Sequence, residues 1–257
     1  MIPLKETTSR IHDLKYKIGT IELLNLAKKT YTYRELSAII HLPETVLSRY
    51  VKGHVLPTTQ RAVEINEILQ KYMSLEKDLM NKIKFDDQNY FDNTEIINNP
   101  MLMERCVQYA IDKFGGKRIN RIMTAAVDGI PLATLLAQRL GIPLVIAKKN
   151  REVGVREFIE EVFTPHPKTA IIRSLYVSKD AIQKGNAVLI VDDIIDTGET
   201  QRALIKIAQR ARAEVTGIFA LFSVGNDWKS RIESMGNIRV EVVAPLMKKE
   251  APPILSQ

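Results

Sequence analysis

A single cysteine, Cys106, stands in 257 residues. No intrachain disulfide is possible, the composition suits a reducing compartment, and the lone thiol reads as a small core hydrophobe. Long apolar runs are missing too. The longest, such as Ala187 to Val191 and Ile218 to Phe222, are far too short to span a bilayer, and the stretch around Lys5, Glu6 and Arg10 lacks a long apolar core. These absences exclude a stapled secreted domain and a helical membrane protein, so the expected location is cytoplasmic. What is present, 45% hydrophobic residues over this length, supports a real core in two modest domains or one large one.

Formal charge is +7, unevenly spread. Residues 1–85 hold 14 Lys and Arg against 9 Asp and Glu, or +5, which leaves +2 for the remainder. A basic excess in the first third suits a polyanion partner there, although a solvated basic face would look the same.

The most informative stretch runs from Val188 to Thr200, VLIVDDIIDTGET. Its continuous apolar run suits a central parallel strand covered on both faces, and ligands of open α/β sheets sit beyond the carboxyl ends of such strands. Asp192 and Asp193 fall at that end. The turn then offers Thr197, Gly198 and Thr200 before an amphipathic helix from Thr200 to Arg212, and converging N–H groups at a helix N-terminus favour an anion. Two carboxylates for vicinal hydroxyls and a loop for a phosphate describe a ribose phosphate site. The stretch resembles the thirteen-residue phosphoribosyl pyrophosphate (PRPP) signature of the type I phosphoribosyltransferases. That resemblance implies ribose contacts by Asp192 and Asp193, and a 5-phosphate held by Asp196, Thr197, Gly198, Glu199 and Thr200. It also implies Mg2+ arriving with PRPP; no separate protein metal site is expected.

The second informative stretch is TYRELSAIIHLPETVLSRYVKGHVLP, residues 32–57. Thr32 and Glu35 form a capping-box pattern for a helix through Ile40 with Leu36, Ile39 and Ile40 inside; His41-Leu42-Pro43 turns the chain, and Gly53 stops a second helix begun at Pro43 or Glu44. The layout resembles a helix-turn-helix of the lambda-repressor and Cro-like class. In such folds the start of the second helix enters the major groove, which places Glu44, Thr45, Ser48, Arg49 and Lys52 toward DNA and Val46, Leu47 and Tyr50 toward the core. Arg49 can read guanine or hold phosphate, and Lys52 is better placed for phosphate.

Elsewhere the pattern is coarser. Residues 10–29 predict one or two amphipathic helices interrupted near Gly19, residues 59–84 one long connecting helix, and FDDQNYFDNTEIINNP a loop or linker. After Pro100 come a helix with Met103, Val107, Ala110, Ile111 and Phe114 inside, a strand over 119–127, a helix over 130–140 and a strand over 142–147, a parallel unit. The loop Ala126-Val127-Asp128-Gly129 meets the start of that helix; in phosphoribosyltransferases the equivalent loop holds pyrophosphate. Lys148 or Lys149 matches the basic residue facing the PRPP phosphates, and GIPLATLLAQRLGIPLVIAKK resembles purine members and purine-repressor relatives. The β-rich runs EFIEEVF and AIIRSLYVS flank Thr164-Pro165-His166-Pro167, where the family carries a mobile hood. Strands over 215–222 and 238–243 with a helix over 227–234 complete the chain.

The expected fold is therefore α/β, a type I phosphoribosyltransferase fold with a mainly parallel sheet and helices on both faces (residues 85–257), preceded by an all-α helix-turn-helix domain with a connecting helix (1–84). The whole looks like a PRPP-responsive transcription regulator, such as the purine repressors or the archaeal regulators related to orotate phosphoribosyltransferase, although a Cro-like reader departs from the winged reader of the bacterial purine repressors. A homodimer reading an inverted repeat of double-stranded DNA, governed by PRPP or a related nucleotide, is the leading expectation. The alternative is a catalytic purine, less readily orotate, phosphoribosyltransferase with an added domain, in which Asp196 would accept a proton beside the base or merely order its loop. A third reading makes the helical part a protein-interaction module.

Overall fold

The computed structural model describes residues 10–86, 91–165 and 171–247. The chain divides into two compact units between Asp78 and Leu79. The first unit is helical: α1 (Arg10–Ala27), α2 (Tyr33–Ile40), α3 (Glu44–Val51), α4 (Thr59–Tyr72) and the start of α5 (Leu75–Lys82). Contrary to expectation, α1 runs unbroken through Gly19. A helical glycine costs about 1 kcal/mol relative to alanine, and burial of Leu24 and Ala27 offsets that cost, as does the Asn66 amide donating to Thr20 Oγ1 at 2.7 Å between α4 and α1.

The capping box before α2 forms as the sequence predicts. Thr32 Oγ1 accepts the Glu35 N–H at 3.2 Å, and the Glu35 carboxylate accepts the Thr32 N–H at 2.7 Å. His41, left-handed at φ 58°, ends α2, and Pro43 precedes α3. Leu36, Ile40, Leu42 and Leu47 bury against Leu24, Ile65 and Leu69, while Tyr50 packs at the edge of that core and Val46 is half-buried.

Two expectations fail between residues 59 and 97. The single long helix is two helices, because Met73 leaves helical backbone (φ −109°, ψ 77°) and Ser74 Oγ accepts the Lys77 N–H at 3.2 Å, capping α5 anew. The supposed linker carries structure: β1 (Lys84–Phe85) pairs antiparallel with β2 (Phe91–Asp92), and the short helix α6 (Thr94–Ile97) buries Ile96.

In the second unit, Asn99 caps α7 (Pro100–Phe114) by accepting the Leu102 N–H. Cys106 sits on its buried face as expected, and burial pushes the thiol up to about 12. Then follow β3 (Arg121–Ala125), α8 (Ile130–Leu140), β4 (Leu144–Ala147), β5 (Phe158–Phe163), β6 (Arg173–Ser178), β7 (Ala187–Ile195), α9 (Glu199–Arg210), β8 (Glu214–Val224), α10 (Asp227–Glu233) and β9 (Val240–Leu246). The sheet order is β4-β3-β7-β8-β9, with every neighbouring pair parallel. Strand β7 is central and buried from Ala187 to Asp193, which explains its unbroken apolar sequence. Strands β5 and β6 form a separate antiparallel hairpin where the hood was expected; His166, Pro167 and residues 251–253 lie outside the described residues. Among the described residues no helix is long and apolar enough to cross a membrane.

Replacing Thr32 with Ala removes the cap of α2 and is expected to destabilise the full chain by about 1 kcal/mol, read from the denaturant midpoint at unchanged slope.

Candidate functional site

Chain order places the site. From β3 the chain passes to β4 on one side, and β7 then pairs on the other side of β3, so strand order reverses between β3 and β7. A crevice beyond the carboxyl ends of the strands at such a reversal is the general ligand position of open α/β sheets. Both sequence-predicted loops open there: 126–129 leaves β3 for α8, and 196–198 leaves β7 for α9. Lys148 follows β4, whose Ala147 pairs with Ala125, so the lysines share this edge of the sheet.

Asp192 and Asp193 close the continuously buried run of β7, each only 7% exposed. Asp192 Oδ2 accepts the Gln201 amide at 2.7 Å, and its Oδ1 accepts the Asp193 N–H at 3.1 Å; Asp193 Oδ2 accepts the Asn93 amide at 2.6 Å. Burial pushes both carboxyls upward, Asp192 well above its ordinary range with Asp193's charge adding to the effect, and Asp128 adding for Asp193. Such a pair of perturbed acids in a ligand crevice marks a candidate functional site.

Gly129 is required by contact. A Cβ there would lie 2.4 Å from Thr124 Oγ1 and 2.9 Å from Asp192 Oδ1. Beside it, Val127 and Asp128 are exposed, Ala126 is half-buried, and the Ala126–Val127 peptide is cis. Gly198 is required by conformation, at φ 80°. Its neighbour Thr197 donates its hydroxyl to the Pro165 carbonyl at 2.7 Å, linking the loop to the hairpin, and its own carbonyl accepts Arg231 Nη1 at 2.6 Å. Glu199 pairs with Arg202 and Arg231, Thr200 is half-buried, and Asp196 is exposed. Lys148 pairs through Nζ with Glu152 and exchanges backbone bonds with Tyr176 of β6, whereas Lys149 is exposed.

Two contributors escape the sequence reading. Gln201 shares the buried face of α9 with Leu204, Ile205 and Ala208, so a lone polar residue within an apolar stripe was the available signal. Asn93 reaches Asp193 from one hundred residues away, out of the segment expected to be a linker, and nothing local points to it. The remaining candidates lie in the first unit: Glu44, Thr45, Arg49 and Lys52 are exposed on and just after α3, and Ser48 is half-buried.

This fold and this crevice define a phosphoribosyltransferase-type domain, and a family model described as "Phosphoribosyl transferase domain" matches residues 92–242. The chain belongs to that family. A hypoxanthine/guanine phosphoribosyltransferase of Methanothermococcus okinawensis is 32% identical over 160 residues, covering 60% of this chain and 82% of that one. The purine biosynthesis transcriptional repressor PurR of Bacillus subtilis is 26% identical over 223 residues, covering 86% of this chain and 74% of the repressor. Among solved structures, adenine phosphoribosyltransferase of Rhodothermus marinus superposes with a TM-score of 0.60 at 23% identity, over 67% of this chain and 98% of that one, a likeness of fold.

Two outcomes test this geometry. Because burial raises the folded-state value of Asp192 above 3.8, ionisation opposes folding at neutral pH and ceases to matter once both states are protonated. Asp192→Asn is therefore expected to raise the melting temperature at pH 7.5, by about 2–4 °C for each kcal/mol of strain relieved. The gain should begin to shrink as pH falls below the raised folded-state value and vanish below 3.8, where both states are protonated; a gain that does not depend on pH would contradict the buried-charge account. Gly129→Ala should destabilise by about 1–3 kcal/mol through the clash with Thr124 and Asp192, measured by chemical denaturation.

Proposed function

We propose that the chain is a DNA-binding transcription regulator whose phosphoribosyltransferase-like domain senses PRPP or a related purine nucleotide. The observation that carries this reading is coverage. The match to the repressor spans 86% of the chain and so must include much of the helical first unit, whereas the match to the hypoxanthine/guanine enzyme covers 60%. The basic excess of residues 1–85 and the exposed start of α3 support the same reading.

In the sensing domain, Asp192 and Asp193 would take the ribose hydroxyls, Asp196 to Thr200 the 5-phosphate, and Ala126 to Gly129 with Lys148 or Lys149 the pyrophosphate. Glycine at 129 and 198 suits close approach of backbone to phosphate. Among the described residues no three His, Cys, Asp or Glu side chains converge on a metal position. Magnesium would arrive as part of the ligand, held by pyrophosphate oxygens and water with one or two carboxylates at most. In the helical unit Arg49 would meet a base or a phosphate, Lys52 a phosphate, and Glu44, Thr45 and Ser48 would line the groove. A two-fold dimer would set two such helices roughly 34 Å apart on an inverted repeat. The ligand can act only by binding the DNA-competent and incompetent forms differently.

The second reading, a purine phosphoribosyltransferase, is favoured by the 32% identity to the hypoxanthine/guanine enzyme and by exposed Asp196 at the crevice. The two part on pyrophosphate release from PRPP with adenine, hypoxanthine, guanine, xanthine and orotate. The regulator reading expects none with all five despite measurable PRPP binding; turnover with any one supports the enzyme.

The double variant Asp192→Asn with Asp193→Asn should lose the PRPP response and keep the unliganded DNA affinity. Loss of both would instead indicate misfolding. Arg49→Ala should cost about 1–3 kcal/mol of specific binding if it reads a base, and Lys52→Ala should lower the salt slope by about 1. Unchanged DNA binding in both variants would leave the helical unit as a protein-interaction module.

A further inference from the structure

The segment that carries Asn93 follows directly on the helix in which the two units divide. Residues 75–78 of α5 belong to the first unit and residues 79–82 to the second. From α5 the chain passes through Ile83 into β1, where Lys84 pairs with Asp92 of β2. Asn93 comes next, and its side-chain amide donates to Asp193 Oδ2 at 2.6 Å. The path from the end of α5 to a carboxylate of the crevice is therefore one strand pairing and one hydrogen bond long.

The use made of Asn93 is unusual for its position. It stands at the N-cap of α6, where asparagine is among the favoured residues because its side chain can accept a backbone N–H of the first turn. Here it makes no such bond, and Asp92 Oδ1 accepts the Thr94 N–H at 2.9 Å instead. The Asn93 side chain is committed to Asp193, and both are buried, 8% and 7% exposed. A buried amide that donates to a carboxylate makes one of the stronger hydrogen bonds, and neither group can turn to water in exchange. Around this bond the segment is held by burial of Ile83 and Ile96 and by Glu95, which Lys82 Nζ and Lys84 Nζ share at 2.6 and 3.3 Å. Exposed ion pairs contribute little singly, so the strand pairing and the buried isoleucines are the main restraints.

We propose that Asn93 is a positioning residue for Asp193 and that through it occupancy of the crevice is passed to α5, a route that rests on the reading of Asp192 and Asp193 as ribose contacts. Asn93 fixes the direction in which the Asp193 carboxylate faces, so a ligand held by that carboxylate binds best while the bond is intact. Occupancy then raises the population in which Asn93 is engaged. The β1–β2 pairing and the end of α5 become more ordered with it, and by reciprocity any change that loosens α5 weakens the ligand.

Hydrogen–deuterium exchange of the full chain with and without saturating magnesium-PRPP, paired with calorimetric measurement of Kd, tests this route. In the wild type, ligand should slow exchange at residues 196–200 and also at 79–85 and 91–97, in each case by more than across the second unit as a whole. Asn93→Ala should bind magnesium-PRPP about tenfold more weakly. At a concentration that saturates this variant, 196–200 should still be protected while 79–85 no longer responds. Protection of 196–200 without 79–85 in the wild type would overturn the route and leave the ribose site standing, whereas absence of PRPP binding would remove both. Unchanged affinity in Asn93→Ala, or ligand protection of 79–85 that persists in it, would also overturn the proposal. If Asn93→Ala fails to fold, the wild-type exchange pattern decides by the same criterion.

Discussion

Two adjacent carboxylates at the buried end of the central strand are the constraint around which the second unit is arranged. Water would solvate Asp192 and Asp193 better than the protein does, so their positions persist only because neighbours supply donors and leave no room for rearrangement. Gln201 from α9 and Asn93 from the segment before α6 provide the amides. Gly129 lets the β3 loop come within contact of Asp192. Three segments far apart in sequence therefore meet at one strand end. A fold seeking stability alone would have used amides or apolar residues there, and retention of an unfavourable charge pair is the expected mark of a ligand site.

The helix α9 connects these acids to the rest of the unit. Its first turn follows the 196–198 loop, Gln201 holds Asp192, and Lys206 and Arg210 hold Glu161 of the hairpin. Thr197 ties the same loop to Pro165 at the hairpin's end. A ligand that recruits the Thr197 hydroxyl must compete with that carbonyl, so loop and hairpin share one hydrogen-bond donor. This coupling is local to the second unit and rests on differential binding, as any ligand-driven change must.

Much of this was legible because the signals were local. The unbroken apolar run of β7 could only suit a strand buried on both faces, and the Thr32–Glu35 box fixed the start of α2 by a reciprocal bond within four residues. The break at Met73–Ser74 was harder, since the apolar stripe continues on both sides while one serine hydroxyl redirects the backbone. The β1–β2 hairpin was hidden by its Asp and Asn content, which reads as loop when only composition is weighed. Gly19 misled in the other direction, because its helical cost is small against the packing of α1. Asn93 and Glu161 were invisible for one reason: the role of each depends on a partner that only the tertiary fold brings near.

The central claim is that binding in the phosphoribosyl crevice governs recognition of DNA by the helical unit. The most direct measurement selects genomic fragments with the purified full chain at one fixed salt concentration, since non-specific affinity varies steeply with salt, and repeats the selection with magnesium-PRPP. The account predicts a small set of fragments carrying an inverted repeat, with affinity shifted by PRPP within the roughly 5- to 150-fold range of allosteric couplings. Fragments bound without sequence preference, or selected equally with and without PRPP and every purine nucleotide tried, would contradict it.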